Sequence, residues 1–285
     1  MTSGLPYALG AMLFFGVGDL LYKRGAAAGA PAHRLMMVNA WVFMPTVVLY
    51  GVLSGSLHFV PGMAWGALVG VFMVVGFYNY AHSLRTGSVS INAPVFRLSF
   101  VITTALAILV LHEALTLPKI GGIVLALAAV WLLLSGPTPQ RVADRRDARS
   151  SLVRVLIATA SVGIGNVVYK YGLRSGATPA SLIAAQASVV VMLSSTFAFA
   201  VDRRIAPGRP ALRHAPWSGV LLALGFICMV ESLARGEAST MVPIAQMGLA
   251  VTAVLGFLLL GEQFTARKGA GLLAALGALG CFAYG

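Results

Sequence analysis

The sequence predicts an all-α integral membrane protein of ten transmembrane helices, arranged as two inverted five-helix repeats. Three observations carry that prediction. First, of 285 residues 59% are hydrophobic and only 10% charged, with a mean hydropathy of +0.89. Soluble domains carry roughly 25% charged residues, so most of this surface meets something other than water. Second, a helix needs about 20 apolar residues to cross roughly 30 Å of hydrocarbon, and the chain offers ten such runs. Third, the two halves of the chain resemble each other.

The ten runs cover residues 5–23, 35–53, 63–84, 91–111, 119–134, 152–173, 180–201, 217–234, 241–260 and 268–284. Turn and breaker residues separate them: Gly29 and Pro31, Pro61-Gly62, Gly87, Pro118, Gly176 and Pro179, Pro207 to Pro210, and Gly236. The runs are about twice the length of barrel strands and do not alternate apolar with polar, which favours helices over a β-barrel. Met1 to Gly4 carries no positive side chain, so the first run reads as a retained helix and not a cleaved signal. Cys228 and Cys281 lie inside apolar runs and read as packing residues, with neither disulfide nor metal spacing.

The longest polar stretch, 136–151, holds Arg141, Asp144, Arg145, Arg146, Asp147 and Arg149 at mid-chain. It reads as a basic linker between a first repeat, 1–135, and a second, 152–285. Gly16-Val-Gly-Asp-Leu-Leu-Tyr-Lys-Arg-Gly25 matches Gly163-Ile-Gly-Asn-Val-Val-Tyr-Lys-Tyr-Gly172, an offset of 147. Further on the offset is 149: Gly87, Pro94, Thr103, Leu111, Glu113, Lys119 and Gly122 fall on Gly236, Pro243, Thr252, Leu260, Glu262, Lys268 and Gly271. Chance gives matched Leu and Ala in apolar sequence; matched Tyr-Lys, Pro and Glu at one offset are far harder to obtain.

Five helices per half is an odd number, so the second half enters the membrane from the opposite side. Inverted repeats suit transport, because exchanging the conformations of the halves exchanges an outward opening for an inward one. The loops after odd-numbered helices hold fifteen Lys and Arg residues, among them Lys23, Arg24, Arg34, Arg85, the linker arginines and Arg203, Arg204, Arg209 and Arg213. The other face holds Lys119, Lys170, Arg174 and Arg235. The positive-inside rule then puts the linker in the cytoplasm and both termini outside. The net charge of +12 is thereby a topology signal and not a nucleic-acid surface. No stretch remains for a sizeable soluble domain.

The pattern resembles the EamA-type drug/metabolite transporter superfamily. The resemblance rests on the duplicated ten-helix layout and on the end of each half. Pro94 with Leu109-Val-Leu-His-Glu113 precedes Lys119-Ile-Gly-Gly122, and Pro243 with Leu258-Leu-Leu-Gly-Glu262 precedes Lys268-Gly-Ala-Gly271. It covers essentially the whole chain. It implies a central cavity lined by the first, third, fourth, sixth, eighth and ninth helices. It also implies export or exchange of small metabolites such as amino acids, or in other branches nucleotide sugars. Members of the superfamily are usually described with both termini in the cytoplasm, opposite to the charge bias of this chain.

Ionisable side chains in hydrocarbon cost at least about 2.5–3.5 kcal/mol and so face a cavity or a partner. The candidates are Asp19, His82, Arg97 and Glu231. Matched across the halves, Asp19 falls on Asn166, His82 on Glu231, and Arg97 on Gln246. Each position is polar in both halves while the charge differs, as expected of residues around a shared cavity. Asp19 reads either as a local pair with Lys23, four residues on, or as a carboxylate for a substrate amine or a proton. Arg97 reads as a snorkelling cation or as a fixed guanidinium for a carboxylate or phosphate. His82 can exchange a proton near neutral pH, and Glu231 among Met229, Val230 and Leu233 is the leading proton-coupling candidate, with His82 and Asp19 beside it. Tyr22, Tyr169 and Tyr78 are further cavity candidates against a reading as interfacial anchors.

Glu113 and Glu262 read as structural, holding their loops to Lys119 and Lys268. Gly16, Gly18, Gly163 and Gly165 read as points of close helix contact, and Pro94 and Pro243 either as first-turn prolines of their helices or as marks of an irregular entry segment whose backbone groups line the cavity.

The functional expectation is a secondary transporter of small polar or zwitterionic metabolites, working by alternating access in the inner membrane, with proton coupling as an option. Alternatives are a flippase or carrier for a lipid-linked or larger anionic substrate, and a membrane-embedded enzyme. No phosphoryl-transfer or metal motif supports the enzyme. Neither cofactor nor metal is expected. The partners are the bilayer and a small-molecule substrate, and the protein is a monomer or homodimer.

Overall fold

The computed structural model describes residues 3–86, 89–134, 145–260 and 264–284, and every described element is a helix. In chain order these are α1 (Leu5–Ala27), α2 (Ala32–Leu53), α3 (Met63–Thr86), α4 (Val89–Arg97), α5 (Ser99–Leu111), α6 (Leu117–Leu134), α7 (Arg145–Arg174), α8 (Pro179–Asp202), α9 (Arg209–Arg235), α10 (Ala238–Gln246), α11 (Gly248–Leu260) and α12 (Ala266–Tyr284). Among the described residues eight spans are long and apolar enough to cross a membrane, with α4–α5 (Ile91–Leu111) and α10–α11 (Ala238–Leu259) each counting as one. Leu5–Leu21 of α1 is a shorter apolar helix. Large apolar side chains such as Leu109, Val124, Leu258 and Leu273 face outward, as a lipid-embedded surface requires.

Two predicted boundaries move. The linker was expected to run to residue 151, but 145–151 form the first turns of α7. The breakers of that region, Pro137 and Pro139, lie earlier, and no proline or glycine interrupts 145–162. α9 begins at Arg209, about two turns before the expected 217, because Pro210 occupies its first turn.

The predicted fourth and ninth helices are each two helices in tandem. Pro94 lies inside α4 and Pro243 inside α10, a turn deeper than a first-turn position. A proline has no N–H for the carbonyl four residues back and its ring crowds that carbonyl. The carbonyl so released by Pro243 belongs to Ser239, and it accepts a bond from Thr104 Oγ1 at 3.4 Å. Each proline is followed four residues later by a tightened joint. Leu98 N–H bonds to Val95 O (3.1 Å) and Val101 N–H to Leu98 O (2.9 Å); Met247 N–H bonds to Ile244 O (3.0 Å) and Ala250 N–H to Met247 O (2.9 Å). The four positions correspond at the 149-residue offset.

The packing maps onto itself when the halves are exchanged. α1 packs on α9 and α7 on α3; α1 packs on α11 and α7 on α5; α2 packs on α8, and α6 on α12. The close approaches obey the same exchange. A Cβ on Gly16 would meet Val251 Cβ at 2.5 Å, and one on Gly163 would meet Ile102 Cβ at 2.7 Å. Thr252 Oγ1 donates to Gly16 O at 3.0 Å and Thr103 Oγ1 to Gly163 O at 3.1 Å. Gly18 and Gly165 are looser: a Cβ would meet Leu221 Cβ at 3.6 Å on one and the flexible Met73 methyl on the other.

Candidate functional site

A cavity of about 610 Å³ occupies the centre of the bundle. Asp19 and Phe15 reach it from α1, Tyr78 and His82 from α3, Arg97 from α4, Asn166 from α7, Phe226 from α9 and Gln246 from α10. These are the helices the family resemblance implied. Two more contribute that it did not: α2 supplies His33, Asn39 and Phe43, and α8 supplies Gln186 and Phe197.

Arg97 is the last residue of α4, at the joint the proline sets up. The helix ends there, so its guanidinium extends into the cavity and not along a continuing helix face. It forms an ion pair with Asp19 and donates from Nη1 to Gln246 Oε1 at 3.4 Å. Asp19 thereby has a partner 78 residues away; the Lys23 side chain, its possible local partner, lies outside the described residues, as does that of Tyr22. The Asp19 and Arg97 side chains keep 39% and 24% exposure, enough for a ligand or water to reach both. Beside them Tyr80 stacks on Phe96 at 4.0 Å and 14°.

Asn166 is buried and donates from Nδ2 to Thr103 Oγ1 at 3.2 Å. His82 Nδ1 is a buried nitrogen without a hydrogen-bond partner among the described residues. Its ring packs edge-on to Tyr78, and Tyr78 to Phe197, at centroid distances of 6.0 and 5.2 Å.

Two predicted residues do not line the cavity. Tyr169 is fully buried behind it, its hydroxyl donating to Gln186 Oε1, so it holds a lining residue in place. Glu231 is buried among Met229, Val230 and Leu233 as expected, but its carboxylate is taken by the Tyr50 hydroxyl and by Arg235, one turn on. Arg235 in turn lies 4.4 Å from the centre of the Tyr7 ring. The i+4 rule applied to Asp19 and Lys23 would have found Arg235; it could not have found Tyr50, which reaches Glu231 from α2.

Glu113 is structural, but not through Lys119. His112 ends α5 in the left-handed region (φ 57°) and turns the chain. The Glu113 carboxylate then accepts from the N–H groups of Ala238 (2.9 Å) and Ser239 (2.8 Å), the first turn of α10 in the other half. Those donors have no partner within their own helix, and the positive helix end suits an anion. Lys119 instead pairs with Glu237 and donates to Ala114 O at 2.7 Å. Nearby, Lys170 donates to the carbonyls of Leu233 and Gly236, and Arg174 to Leu111 O. The Glu113, Lys119 and Arg174 bonds join the two halves where α5, α7 and α9 end, while Lys170 ties α7 to the end of α9 within the second half. Glu262 lies outside the described residues; the Lys268 ammonium sits 5.0 Å from the centre of the Phe257 ring.

At the opposite ends of α2 and α8, His33 and Arg34 both bond the Asp202 carboxylate, at 3.1 and 2.7 Å. This cluster escaped sequence reading because its members sit at helix ends, where charge is ordinary. Asn39 and Gln186 were also missed, although the 147-residue offset pairs them and both line the cavity. Among the described residues no three His, Cys, Asp or Glu side chains converge as metal ligands would.

Membrane-length helices around a largely apolar central cavity that holds a few polar and charged side chains define a multi-pass membrane protein of the transporter class. The chain belongs to the EamA-like transporter family, whose model matches residues 2–135 and again 149–284. It is 23% identical over 259 residues to a protein of Enterococcus faecalis named "Putative sugar uptake protein", covering 88% of each chain. It is 28% identical over 134 residues to an uncharacterized protein of Methanocaldococcus jannaschii, covering 47% of this chain and 97% of that one. A solved crystal structure shares the fold with a TM-score of 0.83 at 12% identity, covering 98% of this chain and 96% of the other.

Proposed function

We propose that the protein is a secondary transporter of small zwitterionic or polar metabolites, with Asp19, Arg97 and Gln246 as the core of its binding site. The Asp19–Arg97 pair inside the cavity carries this reading. A ligand bearing both an ammonium and a carboxylate can exchange partners with that pair without leaving a charge unpaired in low dielectric. Tyr78, His82 and Asn166 complete the wall of the site. Tyr169 acts on it through Gln186. His82 and Asp19 stand in the cavity as proton-coupling groups, while Glu231, engaged by Tyr50 and Arg235, stabilises the bundle beside it.

The working architecture is ten spans, the eight above with α1 and α12, in two inverted halves, 1–135 and 152–285. The exchange symmetry of the packing supports it, as does a relative no longer than one half. Alternating access then follows from rocking of one half against the other. Transport occurs across the inner membrane, with the basic linker in the cytoplasm and both termini outside, on the Lys and Arg distribution. A sugar is the second reading, favoured by the name of the Enterococcus faecalis relative and by the Tyr80–Phe96 stack at the cavity wall.

The test is flux into liposomes holding the purified protein, across a panel of amino acids, sugars and organic anions. Saturable flux of zwitterions that is lost in Asp19→Asn and in Arg97→Gln supports the first reading. Saturable sugar flux that survives both substitutions supports the second. No saturable flux of any solute overturns both.

A further inference from the structure

The outer surface of the α3–α7 seam carries a second pocket, separate from the central cavity. It has a volume of about 440 Å³ and is lined by Asn79 of α3 and by Arg149, Ser150, Val153, Arg154 and Ile157 of α7. The five α7 positions fall on one stripe of the helix. Arg149 opens an apolar span, Arg149–Arg174, and Arg154 lies inside it. Five residues along a helix is about 8 Å, so Arg154 sits at the depth where headgroups give way to acyl chains.

Arg154 is poorly satisfied for that depth. Among the described residues its partner is Asn79 Oδ1, at 3.4 Å. The Asn79 amide nitrogen is already engaged with Val75 O of its own helix, at 2.9 Å. Arg149 has no hydrogen bond or ion pair among the described residues. Around them Leu152, Val153, Leu156 and Ile157 are exposed apolar side chains, 43–51% accessible. Two guanidinium groups, a hydroxyl and an apolar wall below them match the parts of one phospholipid: a phosphate above, an acyl chain beneath.

The matching seam of the other half lacks these groups. Carried across the repeat offsets, Arg154 corresponds to Tyr7 on α1 and Asn79 to Cys228 on α9. On that seam the Arg235 guanidinium, over the Tyr7 ring, is already paired with Glu231, whereas Arg149 and Arg154 have no ion pair among the described residues, so the pocket is not a by-product of the duplicated fold.

We propose that this pocket binds the phosphate headgroup of an anionic phospholipid, with Arg149 and Arg154 on the phosphate, Ser150 beside them, and Val153 and Ile157 against the acyl chain. The site bridges α3 and α7, which belong to different halves. It is independent of which solute the central cavity carries.

The experiment is native mass spectrometry and thermal denaturation of the full-length protein in detergent. The probes are phosphatidylglycerol, phosphatidylcholine of the same chains, and inorganic phosphate. The wild type retains phosphatidylglycerol over phosphatidylcholine by about tenfold, the scale of one good charge-assisted contact, and melts higher with it. The R149Q/R154Q variant falls to parity, while R149K/R154K keeps most of the preference. Parity in the wild type overturns the proposal, and this arm needs no variant to fold. A preference undiminished in R149Q/R154Q places the lipid elsewhere and also overturns it. Inorganic phosphate that reproduces the stabilisation or displaces the lipid reduces the site to an anion site and overturns the lipid assignment.

Discussion

The Asp19 carboxylate meets the Arg97 guanidinium inside the central cavity, although the two are 78 residues apart and sit on different helices. The pair leaves that part of the cavity without net charge, and Gln246 of the other half completes it. Removing one partner therefore unbalances the site. Asp19→Asn and Arg97→Gln are each expected to lower zwitterion flux at least about tenfold, a loss of roughly 1.4 kcal/mol. Each substitution also leaves one charge unpaired in the cavity, so the melting temperature should fall as well. Flux and melting measured on the same preparations check this; a flux equal to wild type in either variant removes the pair from the site.

Glu113 is expected to hold closed the end of the bundle where α5 and α7 finish. Its carboxylate satisfies two N–H groups of α10, and a lost cap costs about 0.5–2 kcal/mol. Glu113→Ala should raise labelling of a cysteine placed at Ser239 by a membrane-impermeant maleimide. Unchanged labelling would show that Lys119–Glu237 and Lys170 hold this end without it.

Gly16 and Gly163 are expected to be matched stability hot spots. A methyl at either would meet a neighbouring Cβ within 2.7 Å, and overpacking costs about 1–3 kcal/mol. Gly16→Ala and Gly163→Ala should each lower the melting temperature. Gly280→Ala, where nothing lies within 4 Å, should not. Equal melting of all three would mean the helices separate at no cost.

His82 and Glu231 occupy equivalent positions but different surroundings, and their substitutions should differ. His82 faces the cavity with a buried nitrogen that has no hydrogen-bond partner among the described residues, while the carboxylate of Glu231 is held by Tyr50 and Arg235. His82→Gln is expected to flatten the pH profile of flux with little effect on melting. Glu231→Gln should lower the melting temperature, as removal of one member of a buried pair does, and keep the profile. A flattened profile in Glu231→Gln alone would move proton coupling to that cluster.

Much of the fold was legible before any coordinates. Apolar run length gave the helices, but Pro94 and Pro243 read as helix starts, whereas each lies a turn deeper and is followed by a break in its run. That depth depends on where each helix begins, and Glu113 supplies a start for α10 from the other half. The site was legible as polarity within apolar runs. The same rule could have found Asn39 and Gln186, since they match at the offset already in use. It could not have found His33, Arg34 and Asp202, because charge at helix ends carries no signal.

The sequence by itself determined the membrane character, the helical class, the self-similarity and the family. Each of these rests on composition or on local and repeated patterns, which a linear chain displays in full. Tertiary structure alone decided which polar groups meet. Asp19 had a plausible partner four residues away, but Arg97 from α4 meets it across the cavity; Glu231 had apolar neighbours in sequence, yet Tyr50 reaches it from α2. In hydrocarbon a charge settles with whatever counter-charge the packing of helices brings within reach, and that depends on helix crossings and joints that no single segment encodes.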